Sequence, residues 1–577
     1  SQDSYAVAVG YLAGQSNQEL YTVAVGYLAG HSGQGLSAIA VGDNAGQIGQ
    51  NTSSVALGVN AGRTAQRRFA TAVGRLAGQT DQGDSAVAIG NQAGILEQSA
   101  GTIAIGRLAG ASYQGESAIA IGELAARYSQ GSYAVAVGVE SGYSIQGSYA
   151  VAVGNYAGYL GQNNNAVAIG YTAGSNAQGS NTVAIGNLAG SNAQGSAAVA
   201  VGTGAATTSQ GIDAVAIGRG AGQSNQGDAA VAIGIQSGLK NQGTSAIALG
   251  DQAGFSQQRD YAVALGVDAG YRQQSYSAIA IGNSAGYASQ QANTVAIGYF
   301  AGYSIQGSYA IAMGLQAGQM SQGTYAVALG ANTGYLNQGC NSIAVGANAG
   351  NISQNNWATA LGVDAGYSAQ ASYAVALGFH AGSNAQGASA VAIGLDSGRV
   401  TQGTGAIAVG DSAASNAQGC YAVALGASAG YSAQGRHAVA LGANAGETNQ
   451  GDSAVAIGVQ AGNNKQGSQA VAVGLNAGLT SQGAYATAVG PGAGQTSQGD
   501  YTTAVGYLAG YTSQGGSTVA VGRQAGETSQ GESAVAVGNL AGQTSQGVYT
   551  VAVGYQAGLT NQNTSATAIG VYAGQTS

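Results

Sequence analysis

Among its 577 residues the chain has one proline, two cysteines, one tryptophan and only 6% charged side chains. Ordinary soluble enzymes carry about a quarter of their residues as charges, so a conventional multidomain enzyme is not expected. A single proline, with glycine not recurring at every third residue, excludes a collagen-like triple helix. Apolar runs are also short: Ala6-Val-Ala-Val9 stops at Gly10, far from the roughly 20 residues a membrane-crossing helix needs. Fourteen scattered Lys and Arg in a chain of net charge −8 form no basic stripe, so no nucleic-acid partner is expected.

What is abundant is repetition. Gly10 recurs as Gly26, Gly42 and onward to Gly570, which makes 36 repeats of sixteen residues without insertion or deletion. With positions numbered from Ser1 to Ser16, position 8 is always alanine (Ala8, Ala24, Ala40), position 10 always glycine and position 2 always glutamine (Gln2, Gln18, Gln34, Gln50, Gln66). Positions 7 and 9 hold mostly Val and Ile, position 13 is nearly always Ala, and position 14 is glycine (Gly14, Gly30) except at Ala126, Ala206 and Ala414. Every Lys, Arg, Asp and Glu falls at positions 1, 3, 4, 5, 11, 12, 15 or 16. An unpaired charge is costly to bury, so positions 2, 6 to 10, 13 and 14 are expected to face protein.

Positions 5 to 9 are short, β-branched and bounded by glycine, which is a strand signal. Glycine at positions 10, 14 and often 3 would cost a helix about 1 kcal/mol each. A second extended piece is expected at positions 11 to 13, between corners at Gly10 and Gly14 and their copies Gly26, Gly42 and Gly30, followed by a polar return loop. Stacked at about 4.8 Å per strand, the turns form an all-β parallel β-solenoid, a single continuous array over residues 1–577. Its expected length is on the order of 170 Å, and its stability is a sum of neighbour interactions.

A glutamine at one position of every turn can form a side-chain ladder along the stack, or can instead shape the return loop through local backbone bonds. Both readings stay open. Strand alternation points positions 7 and 9 to one side and positions 6 and 8 to the other, yet both sets are apolar. The expectation is therefore self-association, with the all-alanine position 8 (Ala8, Ala24, Ala40) permitting close packing of a second chain in a threefold bundle. The alternative is a solvated second face or a wider single-chain coil.

The unit Ala-Val-Ala-Val-Gly-Tyr-Leu-Ala-Gly at residues 6 to 14, and Ser-Ala-Val-Ala-Ile-Gly-Asn-Gln-Ala-Gly at 85 to 94, resembles the head repeats of trimeric autotransporter adhesins, the YadA-like heads. That resemblance implies a left-handed parallel β-roll with three chains side by side, surface display, and adhesion to matrix, carbohydrate or other cells. Similar repeats also occur in phage and large-virus fibres. The sixteen-residue period with glutamine in every turn is stricter than the shorter repeats of the adhesin heads.

Chemistry-bearing residues are sparse. His31, His380 and His437 lie many turns apart, so no metal site or cofactor is expected. Cys340 and Cys420 are five turns apart, roughly 24 Å, beyond the reach of a disulfide. Gly218 to Gly222 and Gly490 to Gly494 resemble phosphate loops but are ordinary corners of the repeat. Asn51, Asn351 and Asn563 begin glycosylation sequons at positions expected to face solvent. The 32 tyrosines read as cover for strand edges or as a binding surface. The expected function is an extracellular structural or adhesive fibre, not an enzyme. Because neither terminal repeat carries a polar cap, the chain is expected to be an excerpt of a longer array or to join end to end in filaments. A virion fibre and an ice-binding solenoid are the alternatives, the latter opposed by the lack of an outward Thr-x-Thr array.

Overall fold

The computed structural model describes residues 3–576, and among them every regular element is a strand. The fold is a parallel β-solenoid in which each sixteen-residue repeat makes one turn. The chain divides into two compact units, Ser1–Ala292 and Asn293–Ser577.

In the first unit each turn contributes two three-residue strands, at positions 7–9 and 16–2. Val23–Val25 and Ser32–Gln34 are the pair in one turn. Neighbouring turns pair in parallel and in register, with Ala24 opposite Ala40 and Gln34 opposite Gln50. The second unit repeats this plan, with Val423 opposite Val439 and Gln418 opposite Gln434. There the second strand is reduced to single bridges at Ile352 and Ser368.

Three expectations are corrected. The strand expected over positions 5–9 covers only 7–9, because position 5 takes a left-handed backbone (Tyr21 φ 62°) that ends the extended run. Positions 11 to 13 are not a strand. Position 12 and position 14 are both left-handed (Leu28 φ 54°, Gly30 φ 52°), and two such residues so close together fold the chain into a tight turn. The second strand lies instead in the segment read as a return loop, where glutamine is drawn into the stack. Finally, alanine at position 8 is the interior, not an outer packing face: Ala24 and Ala40 are fully buried, while Ala8 belongs to the exposed first strand. The coil is narrow, and Ala24 Cβ would lie only 3.2 Å from a Cβ placed on Gly30. No side chain larger than a methyl fits there, so the bulkier positions 7 and 9 turn outward.

The interior is completed by the buried alanines of positions 6 and 13, such as Ala38 and Ala29. Where a hydroxyl replaces alanine it bonds a backbone carbonyl, in most turns the one three residues back, as Thr22 Oγ1 does to Glu19 (3.1 Å) and Ser141 Oγ to Gly138 (3.0 Å), whereas Ser397 Oγ reaches Ala408 (2.8 Å). A buried polar group is thus paired locally.

Gly10 and its copies serve close backbone approach. A Cβ on Gly26 (φ 134°) would stand 2.6 Å from the Gly42 carbonyl oxygen, so no side chain is admissible. Position 14 differs, since a Cβ on Gly30 would meet the Gln34 side chain. A side chain can move where a backbone cannot, and Ala126, Ala206 and Ala414 occupy this position, fully buried.

Candidate functional site

The buried glutamines form the most regular polar array. Gln34 Nε2 donates to Gln50 Oε1 (3.2 Å), Gln50 to Gln66 (3.1 Å) and Gln66 to Gln82 (3.0 Å), with Gln18 donating to Gln34 at 2.7 Å. Gln2 lies outside the described residues. Most of these amides also bond backbone: Gln34 Nε2 reaches the carbonyls of Val23 (2.9 Å) and Ala38 (3.2 Å). The ladder and the backbone role are therefore two uses of one NH2 group. The longest chain of such bonds in the second unit ends at Gln482; Gln498 and Gln514 beyond it each have a buried Oε1 without a donor. This array is internal and offers nothing to a ligand.

Three surfaces face outward. The first is the sheet face made by positions 7 and 9, half-buried to exposed in every turn, as in Val439–Leu441 and Val455–Ile457. Within each unit it is a continuous strip of Val, Ile and Leu, with Thr in some turns and Met313 in one.

The second is aromatic. At position 5, stacked pairs form between adjacent turns: Tyr133–Tyr149 (ring centroids 5.1 Å apart), Tyr309–Tyr325 (4.9 Å) and Tyr485–Tyr501 (5.0 Å), with planes within 10°. Trp357–Tyr373 and Tyr421–His437 stack likewise. Position 15 carries Phe255–Tyr271–Tyr287 and Tyr143–Tyr159. Burial, and then the Glu140 carboxylate, push the Tyr159 phenol above its ordinary range. Rings this close and parallel cover one another's faces, so they present edges and hydroxyls and not the flat faces that stack on a sugar.

The third surface is a polar groove along positions 1 to 4. In the first unit Arg67, Asp81, Glu97 and Tyr113 line it above Gln98 and Gln114, and Arg67 pairs with Asp81 at 3.3 Å. The aspartates at position 4 serve the backbone. Asp84 Oδ1 accepts the Arg68 N–H (3.0 Å), Asp228 that of Ile212 (2.9 Å) and Asp452 that of Arg436 (2.8 Å); Asn356 does the same for Cys340. Sequence reasoning missed this role. The signal was present in the recurrence of Asp and Asn at position 4, whose N–H lacks a partner in the parallel ladder.

Other singled-out residues are dispersed. His380 bridges Asp364 (3.2 Å) and Asp396 (3.1 Å) across three turns. Among the described residues no cluster of three or more His, Cys, Asp or Glu is placed to hold a metal ion. Cys340 and Cys420 are free and half-buried. Asn51 and Asn563 are exposed, but Asn351, expected to face solvent, is only 8% exposed. Its Nδ2 donates to the Asn332 carbonyl at 2.8 Å, which holds this side chain back over the preceding turn. No family model matches the chain, and no curated protein matches it in sequence.

Proposed function

We propose that the protein is a structural fibre component that works by side-by-side self-association through the strip at positions 7 and 9. The observation that carries this reading is the inversion of size across the strand: alanine fills the interior, while Val, Ile and Leu stand outside in every turn. A monomer gains nothing from repeating its larger apolar groups on the solvent side. Burying them against copies of the same chain removes apolar surface from water at about 25 cal/mol per Å², and the identical strip on each copy suits a symmetric bundle. The trimer, the extracellular or virion-surface setting, adhesion to matrix or carbohydrate, and end-to-end growth follow from the resemblance to adhesin heads and fibre repeats and are part of this proposal.

The test is sedimentation of the full chain beside a variant carrying Leu441→Asp and Ile457→Asp. The expected result is an oligomer that the variant converts to a folded monomer. A wild-type chain that stays monomeric at high concentration would discard the reading.

A second reading rests on a row of threonines at position 16. Thr480, Thr496, Thr528 and Thr544 each donate Oγ1 to a carbonyl of the next turn at 3.3 Å. The same hydroxyl bond recurs in these four turns and gives them a repeated geometry, flanked by exposed Ser497, Ser529 and Ser545. Such a row could order water as an ice-binding face does; absence of thermal hysteresis removes this alternative.

A further inference from the structure

We infer that the stacked tyrosine pairs at position 5 are modification sites at which a one-electron oxidant joins adjacent turns through a dityrosine bond. Three observations converge. The pairs are preassembled: Tyr485 and Tyr501 have ring centroids 5.0 Å apart and planes within 3°. Both backbones are held in the stack, Tyr485 N–H bonding Ser468 (3.0 Å) and Tyr501 N–H bonding Ala484 (2.9 Å), with matching left-handed φ of 58° and 61°. The rings are also accessible, at 48% and 63% exposure, so a small oxidant or a peroxidase reaches them.

The chemistry balances as follows. Each phenol loses one electron from the ring and one proton from Oη, giving a phenoxyl radical whose spin density lies partly on the carbons ortho to oxygen. Two such radicals pair their electrons in one ortho-to-ortho C–C bond. Each joined carbon then passes its hydrogen to its own phenolic oxygen, restoring both rings. Two electrons and two protons leave in all, and one hydrogen peroxide takes them up to become two waters. In solution two radicals must meet by diffusion. Here the partner is already in place, and the gain from such preorganisation reaches many orders of magnitude in effective concentration.

The fold supplies its own control. Tyr549 occupies the same position of its turn, with 62% exposure, but its neighbours up and down the stack are Ser533 and Ser565. It can form a radical but has no ring beside it to couple with. The inference concerns bonds within one chain, so it stands apart from the self-association proposed above.

The full chain is treated in dilute solution with peroxidase and hydrogen peroxide, followed by dityrosine fluorescence and mass mapping of proteolytic fragments. The expected product is an intrachain link between the fragments holding Tyr485 and Tyr501, lighter by two hydrogens, with a yield that does not depend on protein concentration. Links involving Tyr549 should be about tenfold rarer or less. Tyr485→Phe keeps the stacked ring and removes the phenol, so it should abolish that link while sparing Tyr309–Tyr325. Equal coupling at Tyr549, products that are only intermolecular, or no coupling while added free tyrosine dimerises would each overturn the inference.

Discussion

Gln418 Nε2 donates to Gln434 Oε1 at 3.0 Å, and the same nitrogen bonds the Ile407 carbonyl at 2.8 Å. One side chain therefore ties its own turn to the turns on both sides. Gln402 completes the link by donating to Gln418 Oε1 at 3.0 Å.

Replacing Gln418 with leucine leaves these buried partners unpaired. Each orphaned group costs about 1–3 kcal/mol, so a loss of about 2–5 kcal/mol is expected. Because stability in a solenoid is local, hydrogen exchange should accelerate first at amides within a few turns of residue 418. Unchanged exchange there would reduce the ladder to a passive filling of space.

The two glycine corners should respond differently to alanine. A Cβ on Gly426 would lie 2.7 Å from the backbone carbonyl of Gly442, whereas one on Gly430 would meet the Gln434 side chain at 2.8 Å. Gly426→Ala is expected to cost about 3 kcal/mol or more, and Gly430→Ala about 1 kcal/mol. Denaturant midpoints of the two variants make the comparison.

Asp452 tests whether acidic residues at position 4 act as charges or as acceptors. Its Oδ1 takes the Arg436 N–H at 2.8 Å. Asp452→Asn keeps the acceptor and should leave stability within about 0.5 kcal/mol, while Asp452→Ala should cost about 0.5–1.5 kcal/mol. Equal losses in both variants would assign the effect to charge.

Burial, and then the neighbouring Asp251 carboxylate, hold the Asp268 carboxyl above the ordinary aspartate range. The folded chain therefore keeps this proton to a higher pH than the unfolded chain does. Stability falls as pH rises from the ordinary aspartate value through the raised folded one, and is level on either side of that window. Solvent screening keeps the change small. Asp268→Asn should flatten this part of the profile when unfolding is followed from about pH 3 to 7.

Much of this was readable before any coordinates. Gly10 and its copies announced one turn per sixteen residues, and the confinement of charge to eight positions marked Gln34, Ala38 and Ala45 as buried. Strand content followed from β-branched residues between glycines. What could not be read was direction. In Val23-Ala24-Val25 the alternation says that alanine and valine face opposite ways but not which way is in. That depends on what stands across the coil, and only the folded turn brings Gly30 and Gln34 there and leaves room for a methyl group alone. The left-handed backbone at Tyr21 and Leu28 was likewise invisible, since neither residue favours it; stacking against the turns above and below imposes it. The stacking of Tyr485 on Tyr501 comes from that imposed backbone. Local composition thus determined the period and marked positions 2, 6, 8, 13 and 14 correctly as buried, but it also marked positions 7 and 9, which face outward; the width of the closed coil decided inside from outside.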